Sequence, residues 1–226
     1  MGNGRENDAR EGNLGRLLRE FTAALLSADE VAAENAIRQA LADRMTSAQI
    51  DDEIIAPALW LVGRLWARGE ISIADEHLAT EISLRVLALQ REATRTMRGR
   101  AGQKALLAAP AGELHTVALQ MIANLLRDAG YTVLMLGPDV PAGALAEAAG
   151  RHEPSVICLT ATMPDASDRV MLAIREVERG WRGAGYVLGG RGLSVRLRPQ
   201  PGIHVCRRVS EVVDAADAIV KRADLN

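Results

Sequence analysis

Glu113 and His115 stand two positions apart in the stretch Gly112-Glu-Leu-His-Thr-Val-Ala-Leu119. The stretch follows an apolar run, Lys104-Ala-Leu-Leu-Ala-Ala-Pro110, that reads as a buried strand. It opens a helical pattern through Leu119, Ile122, Leu125 and Leu126. His115 and its neighbour Thr116 therefore fall in the first strand-to-helix loop of an α/β unit, at the sheet edge where ligands bind. A neutral imidazole there is a good metal ligand, and a carboxylate that accepts its other N–H would orient the ring and raise its basicity. The plainer alternative is that His115 only lines the end of the sheet.

A second group is Trp66, Glu76 and His77. Trp66 closes one helical pattern, Arg68-Gly-Glu70 is a turn, and Glu76 and His77 lie on the next helix. A short turn puts all three near one end of a helix bundle. A large flat ring can cover an organic cofactor, and an acid beside it can accept from hydroxyl groups. The alternative is a core tryptophan followed by a solvated helix face.

The remaining chemistry-bearing residues follow later strands. Leu159-Thr-Ala-Thr162 ends the third strand and offers a hydroxyl at Thr160 or Thr162, either for a ligand or as a helix cap. Leu188-Gly-Gly-Arg-Gly192 follows the fourth, where Gly189 and Gly190 let the backbone lie close against a flat ligand. No Lys-Ser/Thr follows these glycines, which argues against a phosphate loop. Gly137-Pro-Asp-Val-Pro141 reads as a proline-fixed turn. His152 and His204 are assigned to structure. Arg191–Arg198 and Arg207-Arg208 add positive charge, either near a phosphate or simply solvated.

The elements that must position these residues can be read from the whole chain. It has 226 residues, 48% hydrophobic and 25% charged, which suits one large or two small globular domains. A net charge of −2 gives no basic bias toward nucleic acid or anionic membrane. No apolar run is long enough to span a bilayer, there is no signal peptide, and Cys158 and Cys206 lack paired spacing, so a cytoplasmic protein is expected. Residues 1–12 read as a disordered tail. Residues 13–98 read as a four-helix bundle, with capping boxes at Ser27–Glu30 and Thr46–Gln49 and a kink at Pro57. Residues 99–103 are a linker. Residues 104–226 alternate apolar runs (105–109, 132–136, 156–159, 186–188 and 203–206) with helical patterns, which predicts a doubly wound parallel sheet of Rossmann type.

Glu113-x-His115-x-x-Ala118 resembles the D/E-x-H-x-x-G signature of cobalamin-binding Rossmann-like domains, with Ala118 where glycine is usual. The resemblance implies that His115 is the lower axial ligand of cobalt, displacing the dimethylbenzimidazole, whose tail threads into the domain. It further implies that Thr160 or Thr162 hydrogen-bonds that tail, and that Gly189-Gly190 is the family's Gly-Gly motif. Trp66-x9-Glu76-His77 resembles the W-x9-E-H signature of the helical cap in adenosylcobalamin-dependent photoreceptors of the CarH type. There Trp66 would pack on the adenosyl group, Glu76 would hydrogen-bond it, and His77 would ligate cobalt after light removes it.

The function this resemblance implies is a light-responsive sensor without enzymatic activity. Such regulators begin with a DNA-binding domain, and here only a short polar tail precedes the bundle. The expected output is therefore a homo-oligomer (dimer or tetramer) or a protein partner, the alternative being that the chain is an excised sensor module. A standalone subgroup, resembling photocobilins, also binds a bilin such as biliverdin, although no residue here marks a bilin site. The alternative from another class is a corrinoid methyl-carrier subunit of a methyltransferase system, against which Trp66 would crowd the methyl-transfer face. A cobalamin-carrying antirepressor without photochemistry is the third reading.

Overall fold

Leu17, Phe21, Ala24 and Leu25 recur every three or four residues, so one face of a helix is apolar and buried. The computed structural model describes residues 3–94, 103–164, 166–193 and 201–223. The chain divides into two compact units, Met1–Arg95 and Thr96–Asn226. Of the expected linker 99–103, all but Gln103 lies outside the described residues.

The first unit is helical: α1 (Asn3–Leu26), α2 (Glu30–Ala42), α3 (Ser47–Ile50), α4 (Ala56–Ala67) and α5 (Ile73–Thr94). α1 packs on α2, α4 and α5. Its apolar face meets a core that includes Ala33 and Ile37 of α2, Ala58 and Val62 of α4, and Val86 and Leu87 of α5. α1 begins at Asn3, so the expected tail 1–12 is helical over most of its length. Extending a formed helix costs little, and Arg5, Glu6, Ala9 and Arg10 are good helix formers. Ser27 is not the cap of α2. Ala28 takes a left-handed φ of 53° after α1, and Asp29 caps α2 by accepting the Ala32 N–H at 2.9 Å. The Thr46–Gln49 capping box forms as expected. The kink expected at Pro57 takes the form of a π-helical turn, Asp51–Ile55, immediately before α4. A proline ring crowds the carbonyl four residues back, and a widened turn relieves it.

The second unit alternates β1 (Lys104–Pro110), α6 (Val117–Asp128), β2 (Thr132–Val140), α7 (Ala142–His152), β3 (Val156–Thr160), α8 (Ser167–Gly180), β4 (Gly185–Gly189), β5 (Ile203–Cys206) and α9 (Val212–Ala223). The strands form one five-stranded sheet in the order β2-β1-β3-β4-β5, with every pairing parallel. Both faces are covered, which is why the central strands read as unbroken apolar runs. Ala105, Leu107, Ala109, Val156, Cys158 and Val187 face α6 and α9. Leu106, Ala108, Ile157, Leu159, Tyr186 and Leu188 face α7 and α8. β2 runs on to Val140, past the expected turn at Gly137. The positive φ of Gly137 (93°) accompanies a register shift that keeps this segment paired with β1. No helix of the described residues is long and apolar enough to cross a membrane.

The chain leaves β1 toward β2 on one side and returns to β3 on the other. The loops after β1 and β3 therefore diverge and open a crevice at the carboxyl edge.

Candidate functional site

Glu113 lies in the loop between β1 and α6 and is 0% exposed. Its backbone N–H donates to the Pro110 carbonyl at 2.9 Å, which turns the chain sharply after the strand. The carboxylate reaches across the crevice. Oε2 accepts the backbone N–H groups of Thr162 (2.5 Å) and Met163 (2.8 Å) from the loop after β3. Oε1 accepts the His115 backbone N–H at 3.1 Å and hydrogen-bonds the His115 ring at Nδ1. Burial pushes the Glu113 pKa up, but the bonds from the His115 ring and the Met163, Thr162 and His115 N–H groups outweigh it and hold the pKa at about 2.

An ionised carboxylate only accepts, so Nδ1 of His115 must donate. The lone pair of the neutral ring is then on Nε2, the nitrogen with which it would ligate a metal. The ring is partly exposed, and so are the side chains of Leu114, next to it in sequence, and Met163, whose N–H meets the same carboxylate. A single oriented imidazole with apolar neighbours suits a metal whose other positions are filled by a flat macrocycle. Thr116 is the N-cap residue of α6, and its side chain makes no capping bond.

The loops after β3 and β4 are locked together. The Ala161 N–H donates to the Gly189 carbonyl and the Gly192 N–H to the Ala161 carbonyl, both at 2.9 Å. Gly190 has φ 106°, and a Cβ there would stand 2.1 Å from the Ala161 carbonyl oxygen. A Cβ on Gly192 would stand 1.9 Å from the Met163 carbonyl oxygen. Gly190 thus serves the packing of loop on loop. Gly189 is different: a Cβ there would meet nothing nearer than the Cys206 carbonyl oxygen at 3.7 Å, so the sheet surface is bare at that point.

Gly189 pairs in register with Thr160. Thr160 is 2% exposed and its hydroxyl has no hydrogen-bond partner. It follows Val156 and Cys158 on the strand face covered by α6 and α9. A buried hydroxyl without a partner beside a bare stretch of sheet is a place where a threaded heteroaromatic group would fit. Thr162 is more exposed, and its contribution to the site is its backbone N–H.

Trp66, Glu76 and His77 belong to the helical unit. The turn between α4 and α5 carries Gly69 at φ 72°, and α5 is opened by Ser72 and Asp75, whose side chains each accept the other's backbone N–H. Trp66 at the end of α4 is 44% exposed, and Ile73 and Leu78 on α5 are exposed as well. Trp66 is therefore not the core residue of the plainer alternative. Glu76 is half-buried; it accepts from Thr80 at 3.1 Å and meets His77 Nδ1 at 2.7 Å, while His77 is exposed.

Three residues at the sheet edge were not singled out in the sequence: Asp139, Met163 and Gly192. Asp139 lies in the Gly-Pro-Asp-Val-Pro motif, but its partners in the β1–α6 loop depend on strand order. The His152 carbonyl accepts from Lys104 Nζ at 2.8 Å, and His204 lies on β5. Arg207 and Arg208 direct their backbone N–H groups to Glu211, and residues 194–200 lie outside the described residues.

Residues 103–217 match the family model of the B12 binding domain, and residues 17–89 match a second B12 binding domain model. The chain is 30% identical over 128 residues to the HTH-type transcriptional repressor CarA of Myxococcus xanthus, covering 57% of this chain and 44% of that one. It is 34% identical over 109 residues to the repressor CarH of the same organism, covering 48% and 36%. The chain thus spans less than half the length of these two repressors. A match to the trimethylamine corrinoid protein of Methanosarcina barkeri is 23% identical over 154 residues and covers 67% and 70%. The solved monomethylamine corrinoid protein of the same organism shares the fold, with a TM-score of 0.73 over 92% of this chain and 99% of that one at 15% identity.

Proposed function

The chain belongs to the B12-binding domain family, and on that premise we propose that it is a light-responsive adenosylcobalamin sensor. His115 would hold the cobalt through Nε2. Thr160, beside Gly189, receives the threaded benzimidazole, and Trp66 and Glu76 hold the adenosyl group. No residue is assigned a catalytic role, and the protein acts in the cytoplasm. The observation that carries the reading is a tryptophan left 44% exposed at a helix turn, with Glu76 and His77 on the next helix. Trp60 on the same helix is as exposed, at 45%, so the reading is carried by the exposure of Trp66 together with its spacing to Glu76 and His77 across one turn.

Bound adenosylcobalamin supplies a cobalt–carbon bond that light cleaves. Glu113 holds the proton on Nδ1 of His115 and so keeps Nε2 directed to metal. Trp66 packs on the adenosyl group in the dark and loses that support in the light. The α4–α5 hairpin would then repack, and His77, paired with Glu76 only through one exposed contact, is the residue that would be available to hold the metal. The shift is a change of population between two packings of the helical unit. It reaches the cell through a homo-oligomer, dimer or tetramer, or through a protein partner.

A second reading is favoured by the trimethylamine corrinoid protein match, which covers 70% of that protein. In it the chain is a methyl-carrier subunit serving a methyltransferase. Absorption spectra, hydrodynamic size and amide hydrogen exchange of the purified protein loaded with adenosylcobalamin, in the dark and after illumination, separate the two. The sensor changes its spectrum and either its size or the amide exchange of its helical unit. Unchanged size and unchanged exchange, with loss of the adenosyl group confirmed, would leave the carrier. A bilin such as biliverdin as second chromophore would add a band at longer wavelength to the same spectrum.

A further inference from the structure

We propose that Asp139 is a positioning residue for His115, clamping from β2 the loop that presents the imidazole. The proposal rests on the reading of His115 as a cobalt ligand. Among the described residues, four that are not glycine have positive φ: Ala28, Arg44, Asp139 and Glu153. Ala28, Arg44 and Glu153 follow the ends of α1, α2 and α7, where left-handed residues commonly terminate helices. Asp139, at φ 54°, lies within β2 instead, so helix termination does not account for it. A backbone outlier held at a ligand-binding edge points to a positioning task.

Its contacts show what it holds. Asp139 Oδ1 accepts the Gly112 N–H at 2.7 Å, and the Asp139 N–H donates to the Glu113 carbonyl at 2.9 Å. Two successive residues of the β1–α6 loop are thus tied to β2. The Glu113 carboxylate is tied on the opposite side of β1 to Thr162 and Met163. Glu113 is gripped by its backbone from one neighbouring strand and by its side chain from the other. His115, bonded to that carboxylate through both its ring and its N–H, takes its position from both. Asp139 itself is exposed, so its replacement removes no core packing.

Three variants of the full chain separate the side-chain bond from the backbone conformation. Asp139→Asn keeps an acceptor and tolerates the left-handed region. Asp139→Gly keeps the backbone conformation and loses the acceptor. Asp139→Ala loses both. The readouts are the visible spectrum and affinity of bound hydroxocobalamin, together with amide hydrogen exchange of Gly112, Glu113 and His115 in the ligand-free protein. Asp139→Asn should match the wild type. Asp139→Gly and Asp139→Ala should weaken binding by roughly tenfold, the lower end for loss of an outer support of a metal ligand, with a partial shift to the spectrum of unligated lower cobalt and faster exchange at the three amides. A wild-type spectrum and wild-type exchange in Asp139→Gly would overturn the proposal. The same would follow if Asp139→Asn fell as far as Asp139→Gly. His115→Ala is the companion: an unchanged spectrum there defeats the His115 reading itself, and the clamp with it. A changed spectrum there, with Asp139→Gly unaffected, defeats the clamp alone.

Discussion

The carboxylates of Glu113 and Glu76 each hydrogen-bond Nδ1 of a nearby histidine, but they are built differently. Glu113 is fully buried, and its other partners are backbone N–H groups, two of them from a loop beyond a different strand. Glu76 is half-buried, with its side chain 19% exposed, and its partners, His77 and Thr80, are on its own helix. The first arrangement is fixed by tertiary structure before any ligand arrives. The second can rearrange without disturbing a core. A lower ligand that must stay and an upper pair that must move would call for this division of rigidity.

The sharpest way to break the comparison is to remove both acids in turn. Glu113→Ala removes the buried charged acceptor of the part-buried Thr162 and Met163 N–H bonds and should cost about 3–5 kcal/mol of unfolding free energy. Glu76→Ala removes bonds only to the exposed His77 ring and the Thr80 hydroxyl of the same helix, and should cost about 1 kcal/mol or less. Denaturant unfolding of the ligand-free protein measures both, and equal losses would erase the distinction. The same contrast has a pH dependence. The folded pKa of Glu113, about 2, lies below its ordinary 4.5, so its stabilisation is complete above pH 4.5 and is lost as pH falls toward 2. Glu113→Ala should flatten the stability profile over that window.

His115→Ala comes next. It should abolish cobalamin binding, or weaken it beyond the roughly 10–100-fold that loss of an outer support costs, with the spectrum of unligated lower cobalt. A spectrum unchanged from the wild type would remove His115 from the site. Trp66→Ala should be gentler and selective. We expect affinity for adenosylcobalamin to fall by roughly tenfold more than that for hydroxocobalamin, a difference of about 1.4 kcal/mol. Parallel losses in the two titrations would make Trp66 a packing residue. The smallest effect is expected for Thr160→Val. The hydroxyl it removes has no partner in the protein, so ligand-free stability should change by less than about 1 kcal/mol. Affinity for cobalamin should fall while affinity for cobinamide, which lacks the benzimidazole, stays; a fall in both would place the benzimidazole elsewhere.

Where the controlling interactions are local, the sequence was a good guide. β5 spans Ile203–Cys206 as its apolar run predicts, and the Thr46 capping box forms because both partners lie within four residues. Local rules also competed. Ser27 and Asp29 are both cap residues by type, and the left-handed turn at Ala28 awards the role to Asp29. Polar composition likewise says little against a helix: α1 runs from Asn3 through the stretch read as a tail.

By itself the sequence determined that a Glu-x-His pair follows a buried strand, that Trp66 and Glu76-His77 flank one turn, and that glycines follow β4. These are matters of spacing along one element or across one short loop. Only the tertiary structure decided that Thr160, not Thr162, carries the buried hydroxyl without a partner, and that Gly190 is required by the Ala161 carbonyl. It also decided that Glu113 is satisfied by residues 49 and 50 positions away, and that Asp139 grips the same loop from β2. Strand order determines which loops meet at the sheet edge, and strand order is set by the packing of both faces of the sheet, not by the residues of any loop.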